Sequence, residues 1–245
     1  MKTNNKCAAV RLEKSKLVAA LAILAVAFVV IAAVPAVVDD SDAGTEVKVT
    51  VDPSITATDS VKNTIADALN VTGVTTIVLA GNITEDVSIA SEKVITLDLA
   101  GYKLTNRANH TITNDGTLTI VDSSEDKTGT VDNITHAKAA ILNKGTTTLN
   151  GGLFERSAEA GTAPNANGNN SFYTIWNKGN MTINDGVTVV NGNGTTTGKY
   201  SSVIANLGTS SKTAELTIAG GSISGGLYVK NDEYGKMTIT GGKIS

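Results

Sequence analysis

Few side chains in this sequence have the type and spacing to do chemistry, and most of those point to binding rather than to bond breaking. Four of the nine aromatic residues, Phe172, Tyr173, Trp176 and Tyr200, fall beside two long polar segments, 155–171 and 191–200. Trp176 is the single tryptophan, and alternation between Ile175 and Asn177 turns it outward, in one column with Leu142 and Ala205. An outward indole with tyrosines nearby is a surface on which a sugar ring can stack. The alternative is that segment 155–171 folds over this apolar patch and buries it. Catalytic chemistry has less support. Beyond residue 38 the chain holds two histidines, His110 and His136, and two arginines, Arg107 and Arg156. HExxH, GxSxG and CxxC motifs are missing from the sequence. GNGTTTGK (192–199) approaches a phosphate loop, but Asn193 stands where the first glycine is needed and no helix pattern follows. Asn165, Asn167 and Asn169 alternate and could offer oxygens to calcium, although a plain extruded loop is the better reading.

The elements that must position these residues come from a repeat. ITNDGTLTIVD (112–122), ILNKGTTTLNGG (141–152), IWNKGNMTINDG (175–186), IANLG…ELTIAGG (204–221) and VKNDEYGKMTITGG (229–242) share one pattern. Ile or Val, any residue and Asn lead into a glycine turn, then an apolar-Thr-Ile/Leu triplet, then Gly-Gly or Asp-Gly. Short strands between Gly/Asn turns, repeating every few tens of residues, predict an all-β parallel β-helix, a β-solenoid whose stacked coils share one core. Antiparallel sandwiches also use short strands, but they do not need one residue type at one corner five times.

Alternation sorts the columns. Ile120, Leu149, Ile183, Ile218 and Ile239 are expected inside, with Leu118, Thr147, Met181, Leu216 and Met237 as a looser inner column. Thr119, Thr148, Thr182, Thr217 and Thr238 are expected to form an outward ladder. Asn114, Asn143, Asn177, Asn206 and Asn231 are expected to stack at a bend, bonding amide to amide and tolerating left-handed backbone. The spacing gives six or seven coils. No helix or polar cap follows Ser245, so the last coil is expected to present an open edge, available for end-to-end association unless the chain continues.

The N-terminus reads as an address. Lys2, Lys6, Arg11, Lys14 and Lys16 precede an uncharged run from Leu17 to Val38, and Asp39, Asp40 and Asp42 follow it. That is the pattern of an exported chain, with 1–38 either a membrane anchor (17–38 spanning) or a cleaved signal peptide. Residues 39–58 read as linker and first strand, and 59–245 as the β-helix domain. A short capping helix over 59–70 would start from Thr58 or Asp59, with Val61, Ile65 and Leu69 on one face. The only cysteine, Cys7, lies before the apolar run, so the exported part has no disulfide. A net charge of −3 lacks the basic footprint of a nucleic-acid binder. Asn70, Asn82, Asn109, Asn133, Asn169, Asn180 and Asn193 begin glycosylation sequons.

The segments VTTIVLAGNITEDVSI and VITLDLAGYKLTN, followed by NDGTLTI and NGG-type repeats, resemble adhesin-like surface proteins of gut bacteria and methanogenic archaea. The resemblance covers roughly 59–245 and implies a right-handed parallel β-helix of the pectate-lyase-like class. Its motifs are specific for architecture and poor for activity, since such proteins include adhesins, lyases, hydrolases and inert stalks; with titratable groups this sparse, the expectation is a non-catalytic cell-surface or secreted protein that contacts glycans or other cells through its loops, without a required cofactor. Two other readings remain open on this scaffold: a polysaccharide lyase or hydrolase, and a structural spacer. Lyases of the class hold calcium with carboxylates beside a basic residue. The closest such assembly here is Asp98, Asp122 and Asp132 with Arg107 or Lys127, although the stretch from Asp122 to Asp126 reads as a solvated turn.

Overall fold

A computed structural model of the chain describes residues 46–51, 60–135, 137–158, 173–191, 202–225 and 229–245. The apolar run 17–38, His136, Phe172, Tyr200, the alternating asparagines of 165–169 and the 192–199 segment lie outside the described residues. No helix among the described residues is long and apolar enough to cross a membrane.

Strands here are short because the sequence interrupts every apolar-Thr-apolar triplet with an Asn-x-Gly or Gly-Gly turn. Their backbone groups are satisfied by the coil before and the coil after. Among the described residues this produces three sheets, of nine, seven and six strands, and successive strands visit them in a fixed order. The first complete coil runs Val74–Leu79 in sheet A, Ile83–Thr84 in sheet B and Val87–Ile89 in sheet C. The pattern repeats with parallel pairing down to Lys243–Ile244, giving six full coils and a partial seventh. The molecule is a parallel β-solenoid.

The inner columns form one continuous apolar core. Ile120, Leu149, Ile183 and Ile218 are fully buried, as are Leu104, Val131, Phe154, Val189 and Ile223 on the facing sheet. The last member of the first column behaves differently: Ile239 is 50% exposed and Ile244 47%. Burial of an inward residue depends on the next coil as much as on its own, and no described coil lies beyond these two.

The start of the solenoid is closed by different means than the periodicity suggests. Ser60–Lys62 is a strand, paired antiparallel to Val47–Val51, which itself pairs antiparallel to the first strand of sheet A. The helix, α1, covers only Ile65–Leu69, and the expected 59–70 span is corrected accordingly. Its N-cap is Thr64, whose hydroxyl accepts from Asp67 N at 3.0 Å. Ladder bonds to Val47–Val49 hold residues 60–62 extended, which leaves Val61 54% exposed rather than on the helix face. Glu85 docks α1: its buried carboxylate accepts from Ile65 N and Ala66 N at 2.9 and 2.8 Å.

Candidate functional site

Three sets of residues stand out along the coils, two polar ladders and one aromatic group. The asparagine ladder sits at the bend between sheets C and A. Each side-chain amide donates to the next carbonyl oxygen: Asn114 to Asn143 at 3.1 Å, then Asn143 to Asn177, Asn177 to Asn206 and Asn206 to Asn231, each at 2.7 Å. The first four are fully buried. Each amide also donates to backbone carbonyls of its own or the next turn, as Asn177 does to Gly179 O and Glu215 O. None of these asparagines adopts left-handed backbone, contrary to expectation: among the described residues, the non-glycine residues with that geometry are Ala100, Lys127 and Ala137. What the bend does require is the glycine two residues after each of the first four, Gly116, Gly145, Gly179 and Gly208, where a Cβ would collide with backbone of a neighbouring coil. The preceding coil has Ile89 at this position, so the ladder begins at Asn114.

The outward threonine column is longer than the repeat reveals. Thr119, Thr148, Thr182, Thr217 and Thr238 are in direct register, and Thr96, Thr76 and Thr50 extend it toward the N-terminus. Those three precede the first Asn-x-Gly turn, so alignment on the turns cannot find them.

A second polar column at the end of sheet B is invisible to that alignment because its residue type changes. The residues following successive strands are Glu85, Asn106, Asn133, Arg156 and Asn191, all buried. Asn133 donates to Asn109 O and Thr111 Oγ1, and Arg156 Nε donates to Lys138 O at 2.7 Å. Asn133 opens a sequon, yet its amide is buried and bonded, so a sugar there is incompatible with the fold. Asn70 and Asn180, by contrast, are exposed.

The carboxylates do not gather into one site. Asp98 and Asp122 are neighbours that organise turns. Asp98 Oδ1 accepts from Ala100 N and Ser123 N, both at 2.9 Å. Asp122 accepts from Gly101 N, Ser124 N, Ser124 Oγ and Gly129 N. Burial works to raise its pKa, but these four donors outweigh burial and hold it below the usual carboxylate value. Asp122 is 5% exposed, which corrects its reading as part of a solvated turn. Lys127 donates to Asp122 O and Arg107 Nε to Thr84 O, so both expected bases serve the backbone. Asp132 lies in sheet B, where its carboxylate pairs with Lys103 at 2.6 Å, and Lys103 also reaches Glu155 at 3.2 Å. Burial alone would lower the Lys103 pKa, but these two acids raise it instead. No group of three potential metal ligands occurs among the described residues.

What remains is aromatic. Trp176 projects from the sheet C strand Ile175–Asn177. Tyr173 and His110 meet its ring edge-on, at centroid distances of 5.9 and 6.2 Å. Lys178 Nζ lies 4.3 Å from the ring centroid, a cation–π contact that occupies one face of the indole. The outward column is less open than expected: Leu142 and Ala205 are buried on either side, and Trp176 is half-buried. Trp176 Nε1 is buried and finds no acceptor among the described residues, a cost of about 1–3 kcal/mol for an unsatisfied donor. A cavity of about 500 Å³ beside α1, lined by Val61, Lys62, Asn63, Asp67, Asn70 and Val71, shares no residue with this group.

His110 accepts from Ala139 N through Nδ1 at 2.9 Å. Burial, then the positive charges of Lys138, Lys144 and Arg156, push its pKa down from 6.5 to about 4. The unfolded chain therefore takes up this proton first as pH falls, and stability drops between about 6.5 and 4. His110→Asn is expected to flatten that part of the Tm profile. Parallel profiles for variant and parent over this range would refute the assignment.

Comparison of the chain with protein-family models, with curated proteins and with solved structures finds no match.

Proposed function

We propose that this chain is an exported, adhesin-like surface protein that binds glycans, or other cells through their glycans, without cleaving them. In this reading residues 17–38 anchor the chain in a membrane or serve as a signal, and the coil is the right-handed helix of the pectate-lyase-like class. The supporting observation is the Trp176 group. The sole tryptophan occupies an outward strand position between a tyrosine and a histidine, in one column with Leu142 and Ala205. A half-buried aromatic with one edge held by its neighbours offers rigid, amphipathic contact area at little entropic cost. The turn-organising bonds of Asp98 and Asp122 to backbone N–H groups support the non-catalytic half of the reading.

Because tryptophan occurs once, its fluorescence reports on this site alone. Titration with soluble polysaccharides, followed together with new reducing or unsaturated ends in the presence of calcium, tests the proposal. Quenching or a spectral shift without new ends is expected. Trp176→Ala is expected to weaken binding, measured by sedimentation with the polysaccharide, at least about tenfold, equivalent to about 1.4 kcal/mol. Its cost to stability should be about 2 kcal/mol, roughly half that of a fully buried aromatic. New chain ends would assign cleavage instead. Neither binding nor cleavage would leave a structural spacer.

A further inference from the structure

The charges around Trp176 are unlike those of the chain as a whole. Beyond residue 38 the sequence carries 15 basic against 22 acidic residues, a net negative surface. Around the aromatic group the sign reverses. Lys178 lies over the indole, and Lys138, Lys144 and Arg156 all act on His110 as positive charges. Lys212 extends the same side by donating to Lys144 O. Lys144 is paired with Asp115 at 3.3 Å. Lys178 has no salt bridge among the described residues; its partner is the π face of Trp176.

This arrangement decides between ligand classes. A neutral sugar stacking on the indole face held by Lys178 must displace an ammonium and gains no charge contact in return. A sugar bearing an anion can keep the ammonium in place, pairing with it while its ring lies against the exposed parts of Tyr173 and Trp176, both half-buried. Two more ammonium groups, on Lys138 and Lys144, extend the positive field toward His110.

We infer, resting on the glycan-binding proposal above, that this face selects anionic glycans, with a carboxylate or sulfate held by Lys178 and the neighbouring ammonium groups beside Trp176. The ligand class is a sugar acid or sulfated sugar, and the recognition is electrostatic in origin.

The full-length chain is titrated by tryptophan fluorescence with two matched pairs: sialyllactose against lactose, and heparin oligosaccharides against dextran oligosaccharides. At least one anionic probe is expected to bind about tenfold or more tightly than its neutral counterpart. Raising salt from about 20 mM to about 0.3 M should shrink that difference, because screening acts on the charged contact and not on stacking. Lys178→Glu is expected to abolish the preference and Lys178→Arg to retain it, while Lys48→Glu, an exposed lysine on sheet A, changes nothing. Equal affinity for neutral and anionic probes would overturn the inference and leave the glycan-binding proposal standing. Equal losses from Lys178→Glu and Lys48→Glu would overturn it too, since attraction would then be diffuse. Binding of no probe would overturn both.

Discussion

Replacing Asn177 with alanine is expected to lower the thermal midpoint by roughly 6–12 °C, from a loss of about 3 kcal/mol in a domain of this size. The reason is the number of buried groups that this one amide serves. Its Oδ1 accepts from Asn143 Nδ2 at 2.7 Å and from Gly179 N at 3.3 Å. Its Nδ2 donates to Asn206 Oδ1, Gly179 O and Glu215 O at 2.7, 3.0 and 2.9 Å. Alanine removes the amide without supplying a substitute, and water has no easy path to a fully buried bend. Asn143 keeps Gly145 O and Asn180 O as acceptors, so part of the lesion is absorbed. Asn206 Oδ1 loses its donor from Asn177. Thr182→Val, on the outward ladder of the same coil, should shift stability by no more than about 0.5 kcal/mol. Thermal unfolding of both variants makes the comparison, and a fall of less than about 2 °C for Asn177→Ala would show that the ladder is not what holds the bend.

Gly179→Ala should be at least as damaging, for a steric reason. A Cβ on Gly179 would collide with Gly145 O and approach Lys144 C to 2.7 Å. Both atoms are backbone of the preceding coil, so no side-chain rotation relieves the clash. Relief requires the two coils to separate, which lengthens the bond from Asn180 N to Gly145 O, now 2.9 Å, and pulls Asn177 from Asn143. The expected loss is about 3–5 kcal/mol, in the range of severe packing lesions. Gly145 meets Gly116 O and Gly116 meets Ala90 O in the same way, so the three glycines are one column with one cause. Gly186 is the informative contrast. Its φ is +82° and a Cβ there would lie no closer than 3.6 Å from Asn150 O, so alanine costs only the left-handed strain, about 1–2 kcal/mol. Urea midpoints for Gly179→Ala and Gly186→Ala should differ clearly, and equal midpoints would remove the close-approach argument.

The periodic part of this protein was legible because a solenoid repeats its own environment. Once Asn114, Asn143, Asn177, Asn206 and Asn231 are aligned, the strands after them pair in register, and alternation assigns Ile120 and Thr119 to opposite sides. The helix was misjudged because Ser60–Lys62 carries a spacing suited to either structure. Pairing with Val47–Val49, distant in sequence, decided for a strand. Asp122 was misjudged because two of its four donors, Gly101 N and Gly129 N, come from outside the stretch from Asp122 to Asp126. The buried column through Asn106, Asn133, Arg156 and Asn191 escaped because position conserves its burial while residue type varies.

The candidate site divides along the same line. The sequence by itself determined that Trp176 sits at an outward strand position and that Asn177 beside it enters a ladder, since both follow from alternation and the repeat. Only the tertiary structure decided what surrounds that indole. His110 reaches it from two coils earlier, Lys178 folds back over its face, and Lys138 and Arg156 bring their charge from segments with no periodic relation to it. Backbone register is a nearest-neighbour property of stacked coils and can be read from spacing. The field and burial at one side chain sum over every segment that passes near it, and that sum exists only once the chain has folded.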